Sequence, residues 1–209
     1  MRIATIIPAY NEGRTIASIV EVVKKVEILD EVIVVSDGSI DDTAINARGA
    51  GAYVIELAQN IGKGGAMLEG VKHSQAEIIL FLDADLIGLT PEHVLSLLKP
   101  VIIGEAKMTI GIFEQGRIAT DIAQIVAPYL SGQRAMHRFL LNQISNAEIS
   151  RFGIEMVLTS HVKKNKIPVK EVYLKDMTHV MKEEKLGWLP GLRARMKMYW
   201  EIAKCVAKQ

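Results

Sequence analysis

Short runs of β-branched and aliphatic residues at 3–7, 31–35, 52–56 and 78–82 are each bounded by polar or glycine-containing segments, so each reads as a strand. Between the first two, Ile16, Ile19, Val20, Val23 and Val26 recur three and four residues apart, which predicts an amphipathic helix over 15–26. Asp41-Asp42-Thr43 opens a second helix with carboxylates near its positive end, and Gly49 and Gly51 mark its exit. A third helix is expected over 66–73. Thr90-Pro91-Glu92 predicts a capped start to a fourth over 91–99, because proline fits the first helical position. Alternation of this kind predicts an α/β fold, a mostly parallel central sheet flanked by helices.

The second half is less regular. A strand is expected at 108–112, residues 114–128 carry mixed signals, and 153–164 reads as a helix with Ile154, Val157, Leu158 and His161 along one face. A strand at 169–173 follows. The 209 residues suit one domain over 1–175 and a C-terminal extension over 176–209. With 49% apolar and 23% charged residues the balance is globular, and a net charge of +1 gives no bulk basis for nucleic-acid binding. The single cysteine, Cys205, rules out an intramolecular disulfide framework and suits a reducing compartment. The chain enters a strand pattern at once, so no secretory leader is expected, and no apolar run approaches the roughly 20 residues that cross a bilayer. A cytoplasmic protein is the expectation.

Candidate chemistry concentrates in the loops that follow strands, where an open α/β sheet places its ligand crevice. Pro8-Ala9-Tyr10-Asn11-Glu12 follows the first strand, Ser36-Asp37-Gly38-Ser39 the second, Asn60-Ile61-Gly62-Lys63-Gly64-Gly65 the third, and Asp83-Ala84-Asp85 the fourth. Two carboxylates at the exposed end of a buried strand suit a hard divalent cation that keeps open positions for phosphate oxygens. Taken alone, the same pair reads equally well as a helix cap or a solvated turn. The glycines around Lys63 offer backbone N–H groups that approach a ligand closely beside one positive side chain.

In this order the four segments resemble the P-x-Y-N-E, D-G-S-x-D, N-x-G-x-G and D-x-D series of the GT-A glycosyltransferases of family 2, over roughly residues 3–175. The resemblance implies a UDP- or GDP-sugar donor, Mg²⁺ or Mn²⁺, and an acceptor nucleophile. It places Pro8, Ala9, Tyr10 and Glu12 at the base and ribose, Asp37 at the base N–H, and Gly62 and Lys63 near phosphate. Asp83 and Ala84 would lie at the donor, with Asp83 on the ribose or the metal's water shell and Asp85 on the metal. His179, after the last expected strand, is the best further metal ligand among the five histidines. Ser131-Gly132-Gln133-Arg134 through Arg138 resembles a segment near the acceptor in part of the family. Arg134 and Arg138 thus suit an anionic acceptor or the departing diphosphate, which guanidinium groups grip through paired donors. Phe152-Gly153-Ile154-Glu155 resembles the family's [FY]-G-x-[DE], which makes Glu155 the candidate base, although the Glu-Asp dipeptide of many members is absent here.

The implied acceptor is anionic, either a polyprenyl phosphate or a small phosphorylated or carboxylated metabolite such as a glycerate. Past Trp188, Arg193, Arg195, Lys197, Tyr199, Trp200, Ile202 and Val206 form a basic helix with apolar residues interleaved. It is expected to bury its apolar side on the domain or on a second copy in a homodimer, with peripheral membrane contact as the alternative. Two other functions share the architecture. A sugar-nucleotide pyrophosphorylase normally opens with a Gly-rich, Arg-containing loop, which 8–12 is not, and a non-catalytic nucleotide-sugar scaffold needs neither Asp83 nor Asp85.

Overall fold

The computed structural model describes residues 1–113, 131–145, 149 and 153–179. In chain order they form β1 (Ile3–Ala9), α1 (Ile16–Lys24), β2 (Glu31–Ser36), α2 (Thr43–Gly49), β3 (Tyr53–Glu56) and α3 (Lys63–Lys72). There follow β4 (Ile78–Phe81), β5 (Leu86–Ile87), α4 (Pro91–Ile102), β6 (Met108–Phe113) and β7 (Arg134–His137). A 3₁₀ turn (Arg138–Gln143), α5 (Ile154–Lys164), β8 (Val169–Leu174) and β9 (Thr178–His179) complete them. The expectations for 114–128 and for the basic tail helix lie outside the described residues.

Seven strands make one sheet in the order β3-β2-β1-β4-β7-β6-β8. β1 pairs in parallel with β2 and β4, β2 with β3, and β6 with β8. β7 runs antiparallel to both neighbours, β4 and β6. The strands β1, β2 and β4 are buried on both faces, and β1 is buried at all seven positions, which is why its sequence is a continuous apolar run rather than an alternation. Ile7, Val34 and Leu80 pack with Ile16, Val20 and Val23 of α1 and Leu97 and Leu98 of α4. Ile6, Ile33 and Phe81 pack on the other side with Met67 and Val71 of α3 and Leu158 and Val162 of α5.

Because the chain winds β1-β2-β3 in one direction and then returns to β4 on the other side of β1, the strand order reverses between β1 and β4. Such a reversal opens a crevice outside the carboxyl ends of the strands. β4 leaves the ladder after Phe81 pairs with Ile6, so the missing N–H of Pro8 costs no ladder bond on that side.

Two expectations change. α3 begins at Lys63, three residues before the expected 66, even though Gly64 and Gly65 are poor helix formers. Packing requires them: a Cβ on Gly64 would stand 3.0 Å from Ile149, and one on Gly65 the same distance from Ile61. The second change is β7, a strand inserted into the middle of the sheet where the sequence predicted only a motif.

Arg138 leaves β7 at the end remote from the crevice, where its N–H donates to Glu77 O at the start of β4. Its guanidinium donates to Ala76 O at 3.3 Å and to Val71 O at 2.6 Å, satisfying carbonyls at and beyond the end of α3. Replacing it should therefore cost stability: Arg138→Met is expected to lower the unfolding free energy by about 1–2 kcal/mol in urea titrations. An unchanged midpoint and slope would remove this structural role.

Candidate functional site

Three elements end at the crevice and meet through one ammonium group. Lys63, the first residue of α3, places Nζ 2.6 Å from Asp83 Oδ1 and 2.7 Å from Glu155 Oε1. Asp83 follows β4, and Glu155 lies in the first turn of α5, where the helix's positive end favours a carboxylate. Gln133, just ahead of β7, donates from Nε2 to Asp83 Oδ2 at 2.9 Å, and Ser131 Oγ in turn reaches Gln133 Oε1 at 3.2 Å. Both oxygens of Asp83 are thus engaged. Gly132 lies directly against the pair, since a Cβ there would come within 2.6 Å of the Lys63 ammonium and no farther from either Asp83 oxygen.

Arg134 is completely buried. Its Nε donates to Ser131 O and its NH1 to Thr159 Oγ1, each at 2.8 Å, while the Thr159 hydroxyl donates to Glu155 O at 2.8 Å. Burial pulls the guanidinium down to about 10, against the opposing pull of Glu155 and Asp83, so it is a cation at neutral pH. Desolvation also lowers the Lys63 ammonium, but Asp83 and Glu155 together outweigh it and raise the group above its ordinary value. Two cations therefore face two carboxylates across the ends of β4 and α5.

The loop of Asp83 is held from both sides. Thr15 Oγ1, at the start of α1, donates to Ala84 O at 2.7 Å. β5, which follows Asp85, pairs antiparallel with β9, and the register sets His179 opposite Leu86. The main chain of His179 is thereby brought beside the residue after Asp85 from 93 positions farther along the chain.

The loops after β1 and β2 form the other wall. Asp37 is buried, its N–H donates to Ala9 O at 2.8 Å, and its Oδ1 accepts from Ile61 N at 2.8 Å, so it ties three strand-end loops together. Asn11 adopts a left-handed φ of 55°, and its N–H donates to Ser39 Oγ. The Glu12 N–H donates to Thr43 Oγ1 at 2.8 Å and the Gly13 N–H to Asp41 Oδ2 at 2.9 Å. Asp41 also accepts from the Thr43 hydroxyl; burial works against its ionised form, but hydrogen bonds from Thr43 and the Gly13 N–H prevail and hold its carboxyl below the usual range. Pro8 and Ala9 are buried at the end of β1, while Tyr10 is half exposed above them.

Of the sequence candidates, Pro8, Ala9, Tyr10, Glu12, Asp37, Gly62, Lys63, Asp83, Ala84, Asp85, Arg134 and Glu155 all fall at this edge, and the backbone of His179 joins them. Arg138 does not, because its hydrogen bonds anchor it at the opposite edge. Gln133, Thr15, Asp41 and Thr43 were not singled out as site residues. Asp41 carried a signal, as the second aspartate of Asp-Gly-Ser-x-Asp, and Gln133 lay inside the acceptor-like segment at a position that the motif leaves open, whereas nothing local distinguishes Thr15. Among the described residues no three histidine, cysteine or acidic side chains gather as a ready-made metal cluster. Aspartate and histidine, the residue types at positions 85 and 179, are ones whose oxygen and nitrogen atoms Mg²⁺ or Mn²⁺ accepts.

A family model described as glycosyl transferase family 2 matches residues 4–152. The glucosyl-3-phosphoglycerate synthase of Mycobacterium tuberculosis is 35% identical over 112 residues, or 49% of this chain and 35% of the relative. The 4,4'-diaponeurosporenoate glycosyltransferase of Staphylococcus aureus is 35% identical over 99 residues, or 45% of this chain and 26% of the relative. The match thus spans about a third or less of the length of these curated relatives. The crystal structure of the M. tuberculosis synthase with Mn²⁺, UDP-glucose and phosphoglyceric acid superposes with a TM-score of 0.73 at 26% identity, covering 97% of this chain and 80% of that one. Its complex with Mn²⁺, UDP and glucosyl-3-phosphoglycerate gives 0.72 at 28% identity, covering 86% and 72%. The fold is therefore GT-A, and because the matched residues run from β1 past β7 and carry the four strand-end loops in order, the chain belongs to glycosyltransferase family 2.

Proposed function

We propose that this chain is a metal-dependent glycosyltransferase that moves a sugar from a nucleoside-diphosphate donor to an anionic acceptor. The observation that carries this reading is the β5–β9 pairing, which brings His179 to the Asp83-Ala84-Asp85 loop at the strand-order reversal. A bound Mg²⁺ or Mn²⁺, held by Asp85 and His179, would supply Lewis-acid charge to a leaving diphosphate. Lys63 adds an ammonium on the same side, and Arg134 adds fixed positive charge from beneath. Asp83, oriented by Gln133, accepts hydrogen bonds from the donor's ribose or sugar. Tyr10 covers the base, and Glu12 and Asp37 accept its hydrogen bonds or those of the ribose. Glu155 takes the proton when the attacking group is a hydroxyl.

The solved synthase complexes, with UDP in one and with UDP-glucose and phosphoglyceric acid in another, support a uridine donor and a small phosphorylated acceptor. A GDP-sugar donor and a polyprenyl phosphate acceptor are the other members of the same chemical class. Peripheral membrane contact and a homodimer rest on the basic, aromatic pattern of the tail alone. No helix among the described residues is long and apolar enough to cross a membrane.

Calorimetry with a panel of UDP- and GDP-sugars in Mg²⁺, Mn²⁺ or chelator tests the donor. Selective binding that chelator abolishes is expected; no binding under any metal condition would overturn the donor reading. Asp85→Asn should reduce affinity in Mn²⁺ by about tenfold or more, to the level of wild type in chelator, with the fold intact by circular dichroism. Affinity that keeps its metal dependence would sink the assignment of Asp85.

Gly132→Ala offers a second check, since its methyl group would strike both Asp83 and Lys63. About tenfold weaker donor binding is expected, near 1.4 kcal/mol. Full affinity would mean that the Lys63–Asp83 geometry is immaterial to the donor.

A further inference from the structure

The ammonium of Lys63 is shared between two carboxylates with different second attachments. Asp83 has its other oxygen on Gln133, which is itself bonded to Ser131, and its loop is tied to α1 through Thr15. Asp83 therefore stays in place when the ammonium moves. The main chain of Glu155 is secured by the Thr159 hydroxyl, which Arg134 holds, but the position of the Oε1 contact depends on the reach of a long side chain toward Lys63. Loss of that contact leaves α5 where it is and alters only the carboxylate. The Lys63 side chain is 41% exposed, so an anion entering the crevice can reach it without displacing a helix.

We propose that Lys63 is an exchangeable latch, tying Glu155 to Asp83 in the donor-free protein and passing to the donor's diphosphate, which releases Glu155 toward the acceptor. The proposal rests on the donor reading above and adds to it a competition between Glu155 and the donor for Lys63. The arrangement keeps a candidate base occupied until the leaving group is present. It also makes Glu155 a competitor of the donor for one cation, an effect opposite in sign to that of a donor-binding residue.

The test is donor affinity by calorimetry in Mn²⁺ for wild type, Glu155→Gln, Lys63→Met and the double variant, using the nucleotide sugar that wild type binds most tightly. The amide keeps the shape of Glu155 and removes its charge, so Glu155→Gln should bind the donor about fivefold more tightly than wild type. Lys63→Met should bind it more weakly, and in that background the added Glu155→Gln should change affinity by less than about twofold, since the two effects couple only through the ammonium. Thermal melts within a few degrees of wild type establish that each variant is folded. Unchanged or weaker donor binding in folded Glu155→Gln overturns the latch, as does an equal gain with and without Lys63. If wild type binds no nucleotide sugar at all, the donor reading falls and the latch with it, whereas donor binding without the gain removes the latch alone.

Discussion

The site depends on one cation held between two carboxylates. Asp83 and Glu155 stand 2.6 and 2.7 Å from the same Lys63 nitrogen, whose charge offsets the repulsion between them. The contact links the starts of α3 and α5 to the end of β4, while hydrogen bonds to Asp83, Ala84 and the Glu155 carbonyl secure the backbone on either side of it. Directly below, β7 places Arg134 in the middle of the sheet with no exposed surface. An isolated buried guanidinium costs several kcal/mol, and here hydrogen bonds to Ser131 and Thr159 and proximity to the two carboxylates offset that cost. The central strand and the functional edge thus need one another: the carboxylates make a charged residue tolerable in the core, and the buried charge balances theirs from below.

Much of this was legible in the chain, because it depends on local pattern. The runs at 3–7, 31–35 and 78–82 became β1, β2 and β4 with ends displaced by two residues at most, since a strand buried on both faces leaves a continuous apolar stretch. The helix of Ile16, Val20 and Val23 was visible in its spacing. The strand-end loops were legible too, because ligand-facing turns need particular residues, and those of this chain occur as a series in the order that the sheet requires.

What escaped the sequence depends on partners distant in the chain. Arg-Ala-Met-His carries no strand alternation, and an arginine argues against a central strand until its hydrogen bonds from another element are known. β5 and β9 are two residues each, too short for any period, and they exist only because residues 178–179 return to the loop after β4. Arg138 was misplaced for a related reason. It stands four residues beyond Arg134, and a strand four residues long carries the two to opposite edges of the sheet, so a shared motif did not mean a shared site.

The same geometry divides the work of the paired aspartates. Asp83 is bonded through both oxygens to side chains from two other segments, so its orientation belongs to the scaffold as much as to the site. Asp85 lies beyond Ala84, whose carbonyl is fixed by Thr15, and directly before the bridge to His179. The spacing of the pair thereby puts one aspartate in the network of Lys63 and Gln133 and the next at the main-chain bridge to β9.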